Sequence, residues 1–276
     1  VLEETPAPNL PAGMAEALCA AAIKLAKAVS YRSAGTVEFV YDSEAERFYF
    51  LEVNTRLQVE HGVTEQVWGV DLVRWMIELA AGDLAPLSEL SQNLKPSGHA
   101  IQARLYAEDP GRDFQPSPGL LTAVDFPKAD GKALRIDTWV EAGCEIPPYF
   151  DPMIAKVITW AATREQASAA LSQALANTLL YGVETNRQYL RQISLLIARR
   201  PKWRADHHAF MTIVQCRQHH RYTSTQGDMV EAHLPALDLL EPERARDERL
   251  EKFDRIDCNT DRDRLSCVAR SESAID

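Results

Sequence analysis

The chain has 276 residues, 46% of them hydrophobic and 25% charged, with a formal net charge of −10. That length and apolar content allow one or two domains with a buried core, while the acidic balance, without a basic stripe, excludes a general nucleic-acid binder. No apolar run reaches the length of a membrane span and there is no signal-peptide pattern; the cysteines Cys19, Cys144, Cys216, Cys258 and Cys267 form no Cys-x-x-Cys pair, so free thiols in a reducing, cytoplasmic setting are expected.

In chain order, Ala15 to Ser30 has apolar residues at helical spacing and leads through Ser33-Ala-Gly35 into a β-rich run, Thr36 to Tyr41. The polar stretch Asp42 to Arg47 reads as a hairpin loop before a second extended run, Phe50 to His61. As one strand, that run projects Glu52, Asn54, Arg56, Gln58 and Glu60 to one side and Leu51, Val53, Leu57 and Val59 to the other, the apolar row forming a core face. The polar row reads either as the wet side of an antiparallel strand or as a set for holding a metal and a small anion. A hairpin folded about Ala45 places Glu38 opposite Glu52. Facing carboxylates repel without a counter-ion, which favours a bound cation, and oxygen-only ligands suit Mg²⁺ or Mn²⁺.

Val70 to Ala81 is predicted as an amphipathic helix ended by Gly82. Residues 83–97 hold Pro86, Pro96 and scattered Ser without an apolar period and mark the expected domain boundary. From Gly98 to Trp160 short strands alternate with Pro and Gly turns, as in an antiparallel sheet, and Arg164 to Leu180 is expected as an alanine-rich helix packed on it. From about Pro201 the pattern changes. Glu241 to Asp276 is dense in Arg, Asp and Glu, so a disordered tail, or a solvated helix from Glu241 to Arg255, is expected. Ala209 to Val214 and Leu234 to Leu240 are the apolar clusters of this tail and offer the alternative that it docks on the sheet. The pairs His207-His208 and His219-His220 lack the third and fourth convergent groups of a metal site.

Val37-Glu-Phe39 followed by Phe50-Leu-Glu-Val-Asn-Thr-Arg-Leu-Gln-Val-Glu-His-Gly-Val-Thr-Glu65 resembles the metal and bicarbonate end of the ATP-grasp domain in biotin-dependent carboxylases. Gly98 to Pro110, Pro116-Ser-Pro-Gly119, Arg135-Ile-Asp-Thr-Trp139, Pro148 to Lys156 and Tyr181-Gly-Val-Glu-Thr-Asn186 resemble, in order, the C-terminal domain of biotin carboxylase, with details most similar to urea carboxylase. The resemblance implies an α+β fold: residues 1–89 as the C-terminal half of an ATP-grasp domain, 90–205 as the antiparallel-sheet biotin carboxylase C-terminal domain, and 206–276 as an unassigned tail. Val1 to Pro8 resembles the middle of the ATP-grasp domain, so the first subdomain, the glycine-rich lid, the phosphate-binding lysines and most of the adenine pocket are expected to lie outside this chain, which alone is expected to be inactive.

The implied activity is ATP- and bicarbonate-dependent carboxylation of biotin via carboxyphosphate. By resemblance, Glu38, Glu52 and Asn54 match the Mg²⁺ (or Mn²⁺) ligands, and Arg56 the bicarbonate-binding arginine, whose planar fork suits an oxyanion. Gln58 and the backbone of Val59 complete the anion cradle. Glu60 matches the general base that takes the bicarbonate proton. Arg104 matches the arginine that stabilises the enolate-like oxygen of biotin, and Val40 falls at an apolar wall for adenine, with plain core as its alternative. Implied partners are a biotin carrier domain outside this chain, a carboxyltransferase part and a second copy in a homodimer. The remaining alternatives are a biotin carboxylase subunit of an acyl-CoA or pyruvate carboxylase, another ATP-grasp ligase, against which Gly98 to Asn186 argues, and a non-catalytic oligomerisation or binding module.

Overall fold

The computed structural model describes residues 1–43, 45–199 and 208–215. Its elements are β1 (Leu2–Thr5), α1 (Met14–Ala28), β2 (Ser33–Asp42), β3 (Arg47–Asn54), α2 (His61–Trp68), α3 (Leu72–Ala81), α4 (Leu87–Leu90), β4 (His99–Tyr106), β5 (Glu108–Asp109), β6 (Gln115–Pro116), β7 (Gly119–Leu120), β8 (Ala123–Asp125), β9 (Leu134–Thr138), β10 (Glu145–Ile146), β11 (Met153–Ala161), α5 (Arg164–Asn177), β12 (Leu179–Tyr181), α6 (Arg187–Arg199) and β13 (His208–Gln215). The mixture of helices with antiparallel sheets makes the fold α+β. Among the described residues no helix is long and apolar enough to cross a membrane.

Two sheets carry the fold. In the first, β2 lies between β3 and β13, both antiparallel to it. The 3.6-residue period of α1 puts Leu18 and Ala22 on one side, where they are fully buried against Val37 and Phe39 of β2. Phe48 joins them with its ring edge-on to Phe39, centroids 5.3 Å apart. The second sheet has the order β1-β4-β11-β9, antiparallel throughout. Ala167, Leu171, Ala174 and Leu175 form the apolar stripe of α5 and share a core with Leu105, Ile154 and Val157 of the sheet and Leu190 of α6. Helix α2 lays Val63 and Val67 on Ala100 of β4 and Ile158 of β11. This packing sets the start of α2 beside β4, and the polar residues of interest lie there.

Several expectations change. The strand predicted through His61 ends at Asn54; residues 55–60 turn, and His61 opens a helix. The paired register is Glu38↔Glu52 as expected, but it shifts by one residue beyond that pair, so Phe39 faces Phe50 and Leu51 is the extra residue of a bulge. The expected core face of this segment is not one: Leu51 and Val53 are 49% and 41% exposed. The reason is placement, since β3 is an edge strand and α1 covers Val37 and Phe39 of β2 instead. The Arg164 helix stops at Asn177 rather than Leu180: Thr178 turns extended, donates its hydroxyl to the Ala174 carbonyl, and frees 179–181 to form β12.

Residues 208–215, expected in the tail, form β13 along the edge of β2. A bare strand edge presents unpaired backbone donors and acceptors, and this docking alternative satisfies them. The amphipathic helix before Gly82 is found as α3, with Asp71 capping its start through the Arg74 amide and Gly82 ending it at φ 85°. Cys19 and Cys144 are free thiols. The readings of the other cysteines, of His207, His219 and His220, of 234–240 and of 241–276 lie outside the described residues.

Candidate active site

Glu38 and Glu52 face each other across β2 and β3, Glu38 buried and Glu52 exposed. Asn54, opposite Thr36, reaches back between them: its Nδ2 donates to Glu38 Oε1 at 2.7 Å and to Glu52 Oε1 at 3.0 Å. The turn after Asn54 folds the next polar residues over the same spot. Arg56 Nη1 donates to Asn54 Oδ1 at 2.6 Å, and Gln58 Nε2 donates to Glu38 Oε1 at 2.7 Å. Thus Glu38, Glu52, Asn54, Arg56 and Gln58 form one connected group, although a turn rather than strand alternation places the last two. Val40 lies two residues beyond Glu38 on the same face of β2.

The donor set fits a hard divalent cation. It offers two carboxylates and one carboxamide, all oxygen ligands, and the described residues contain no group of three His, Cys, Asp or Glu that competes with it. In the arrangement seen, the Asn54 amide turns its nitrogen toward both carboxylates and its oxygen toward Arg56. A half-turn of that amide exchanges the two ends, so the same side chain either bridges the carboxylate pair by donation or joins it as a third oxygen ligand. Beside it, Gln58 Oε1 is a buried acceptor without a hydrogen-bond partner. Buried acceptors are usually satisfied, and an unused one next to Arg56 suits a ligand that brings its own O–H.

The turn itself is fixed by His61. Its backbone N–H and its ring Nδ1 both lie on the Gln58 carbonyl, at 3.3 and 2.7 Å. Glu60, buried, then occupies the residue before α2, and its Oε2 accepts from Arg104 Nη2 of β4 at 3.0 Å. Arg104 also lies 2.7 Å from Glu3 Oε1 through Nε, an ion-pair contact in which the N–H is not aimed at the oxygen, so Nε lacks a directed hydrogen bond. Burial opposes the Arg104 charge, but Glu3, Tyr106 and Glu60 outweigh it and hold the guanidinium protonated. Tyr106 is itself pushed up by burial, against the pull of Arg104. Behind β4, fully buried Asn186 accepts from the Tyr106 amide and donates to the Arg104 carbonyl, pinning the backbone that carries the arginine.

A second charged network ties α2 to the sheet. Glu65, buried, accepts from the Leu72 amide and from Arg135 Nη1, while Arg135 grips Asp137 through Nε and Nη2 and Lys156 adds a third contact to Asp137. Burial raises the Asp137 carboxyl, but the bonds from Arg135 and Lys156 outweigh it and hold it below the usual carboxylate range. Sequence reading missed Glu3, Gln102, His61 and Glu65 as parts of the site. Glu3 and Gln102 sit opposite each other in the β1–β4 register across almost a hundred residues of chain, and no local pattern signals such a pairing.

Residues 1–89 match the ATP-binding domain of the carbamoyl-phosphate synthase L chain, and residues 102–208 match the biotin carboxylase C-terminal domain. The urea amidolyase of Saccharomyces cerevisiae is 50% identical over 193 residues, 70% of this chain and 10% of that protein. Biotin carboxylase 1 of Bacillus subtilis is 45% identical over 185 residues, 67% of this chain and 40% of that protein. Among solved structures, the biotin carboxylase domain dimer of Hydrogenobacter thermophilus 2-oxoglutarate carboxylase, in complex with MgADP and bicarbonate, has a TM-score of 0.68 and 36% identity, covering 73% of this chain and 44% of that one. The chain therefore spans less than half the length of each of these relatives.

Proposed function

We propose that this chain is part of the biotin carboxylase component of a biotin-dependent carboxylase, and that it carries the metal, bicarbonate and biotin ends of an ATP-dependent biotin carboxylation in an enzyme of the urea carboxylase type. Bound MgATP supplies the phosphoryl group that activates bicarbonate, and biotin accepts the carboxyl on a ureido nitrogen. Glu38, Glu52 and Asn54 hold the cation, with Asn54 turned to present its oxygen. Arg56 grips the bicarbonate oxyanion with its fork, and Gln58 together with the backbone at Val59 completes the cradle. Val40 lines the nucleotide side. Glu60 receives the bicarbonate proton at Oε1, since its Oε2 is engaged by Arg104. Arg104 faces the ureido oxygen of biotin, where negative charge builds as the nitrogen gives its proton to the phosphate released when carboxyphosphate breaks down to CO₂.

The observation that carries this reading is the 3.0 Å contact between Glu60 and Arg104. It joins the group that handles the bicarbonate proton to the group that handles biotin, from different elements. The urea subtype is supported by the 50% identity to a urea amidolyase. Biotin is proposed to arrive on a carrier domain, its carboxyl group to pass to a carboxyltransferase part of the same enzyme, and the biotin carboxylase part to pair with a second copy, in a cytoplasmic setting.

Two measurements test the reading. Mn²⁺ added to the isotopically labelled chain should broaden resonances of Glu38, Glu52 and Asn54 first, and Glu38→Gln should abolish that selectivity. A chimera in which the aligned residues of this chain replace those of Bacillus subtilis biotin carboxylase 1 should hydrolyse ATP in response to bicarbonate and free biotin, and Glu60→Gln should nearly abolish turnover. Unselective broadening, or a folded chimera with an unchanged rate in Glu60→Gln, would remove these residues from their assigned roles.

A further inference from the structure

We infer that Glu3, backed by Gln102, is a positioning residue that aims Arg104 at biotin, an inference that rests on the role proposed above for Arg104. In the β1–β4 pair Glu3 stands opposite Gln102, and Arg104 lies two residues further along the same face. Glu3 Oε2 accepts from Gln102 Nε2 at 2.9 Å, and Glu3 Oε1 contacts Arg104 Nε at 2.7 Å. The far end of the same guanidinium is held by Glu60. Two carboxylates from separate elements therefore grip opposite ends of one planar group and fix both its position and its plane.

The details separate this from an ordinary surface ion pair, which is worth little. Glu3 and Arg104 keep only 13% and 24% of their side-chain exposure. Gln102 is fully buried and its Oε1 is unpartnered, so its one observed polar contact is spent on orienting Glu3. A fully buried carboxamide that leaves its acceptor unsatisfied is costly, and the arrangement makes sense if its donor end has a specific job. The off-axis contact at Arg104 Nε is also informative. It fixes the charge by attraction without consuming the Nε–H in a directed bond.

Without Glu3 the guanidinium loses the hold on its Nε end and is left to Glu60 and Tyr106, which leave its plane free to turn. A ligand oxygen then meets a disordered donor in place of an aimed one, and binding weakens by about tenfold, the size of one lost charge-assisted hydrogen bond.

The test uses the full chain with free biotin as the probe, added up to its solubility. Resonances of Arg104 and its neighbours on β4 should shift with biotin, and Arg104→Ala should remove those shifts. Glu3→Ala should weaken the biotin response about tenfold, as for loss of a bond to a charged group, and raise solvent exchange at Arg104 Nε–H, while the amide spectrum keeps the β1–β4 cross-strand contacts. Glu3→Gln, which keeps an acceptor beside Arg104, should recover part of the response and serves also if Glu3→Ala fails to fold. Gln102→Leu should fall between Glu3→Gln and Glu3→Ala. A biotin response that needs Arg104 but is unchanged in a folded Glu3 variant overturns the positioning role and leaves the proposed function standing. A response that survives Arg104→Ala, or no response around β4 at all, overturns the reading of the site and this inference with it.

Discussion

Gly62 is the residue on which the approach of α2 to β4 depends, and Gly62→Ala is a sharp test of that packing. A Cβ at this position would lie less than 3.0 Å from Ile158 Cδ1 and 3.2 Å from Gln102 Oε1. Ile158 is fully buried, so its methyl has little room to retreat. Alanine gains up to about 1 kcal/mol of helix propensity over glycine, whereas forcing a methyl into a filled core costs about 1–3 kcal/mol. The net expectation is a loss of about 1–2 kcal/mol, or a melting point lower by roughly 2–8 °C for a unit of this size. Ile158→Val removes the clashing methyl and alone costs about 0.5–1.5 kcal/mol. Calorimetric melting of the two single variants and the double variant closes a cycle, in which the double variant should be more stable than the sum of the singles by about 1 kcal/mol or more. Additivity within about 0.5 kcal/mol would mean that Gly62 does not meet Ile158, and the placement of Glu60 beside Arg104 would lose its structural basis.

Three further outcomes follow from other contacts. Arg135→Met leaves buried Glu65 with the Leu72 amide and the more distant His61 ring, and removes two bonds from Asp137; a loss of about 2–4 kcal/mol in urea unfolding is expected, below the full cost of breaking a buried pair because Arg135 is partly exposed. Because the Asp137 carboxyl is held below its unfolded value near 3.9, its stabilisation is complete above that pH and is lost as pH falls through the folded value. Arg135→Met removes the bonds that lower the folded value, so less stability should be lost below that pH than in the parent chain, and an acid limb of the same depth in both proteins would contradict the network. Asn186→Leu leaves the Tyr106 N–H and the Arg104 carbonyl without their side-chain partner, costing about 2–3 kcal/mol, and should disturb the biotin response at Arg104 more than Mn²⁺ broadening at Glu38. Amide exchange should show protection at 208–215 paired with that of β2; free exchange there would remove β13 from the sheet.

What the sequence revealed followed the range of its interactions. The Glu38–Glu52 pairing was legible because a hairpin places partners symmetrically about a short loop, and the helix before Gly82 carried both its period and its stop. The single-residue bulge at Leu51 was hidden, since it leaves the alternation of residue types intact while changing the pairing. The turn at 55–60 was hidden for a related reason. Polar and apolar residues alternate through Glu60 as in a strand, and the bonds that close the turn on the Gln58 carbonyl are one backbone contact that many residue types allow and one from the His61 ring that the alternation does not signal. Arg104 was visible by resemblance alone; its grip by Glu3 depends on a strand pair with no local signature.

The position of β1 bears on how this protein can be taken apart. The proline-containing stretch at 83–97 looks like a place to cut, yet the first strand of the chain is an edge of the sheet that begins beyond it. A recombinant piece starting at Gly98 would surrender that strand and expose the flank of β4, along with the acid that faces Gln102. A piece ending near residue 89 would keep β1 with nothing to pair with. Dissection at the apparent linker thus yields two damaged halves, and separable modules would require the opening residues to be grafted onto the second half through a new connection.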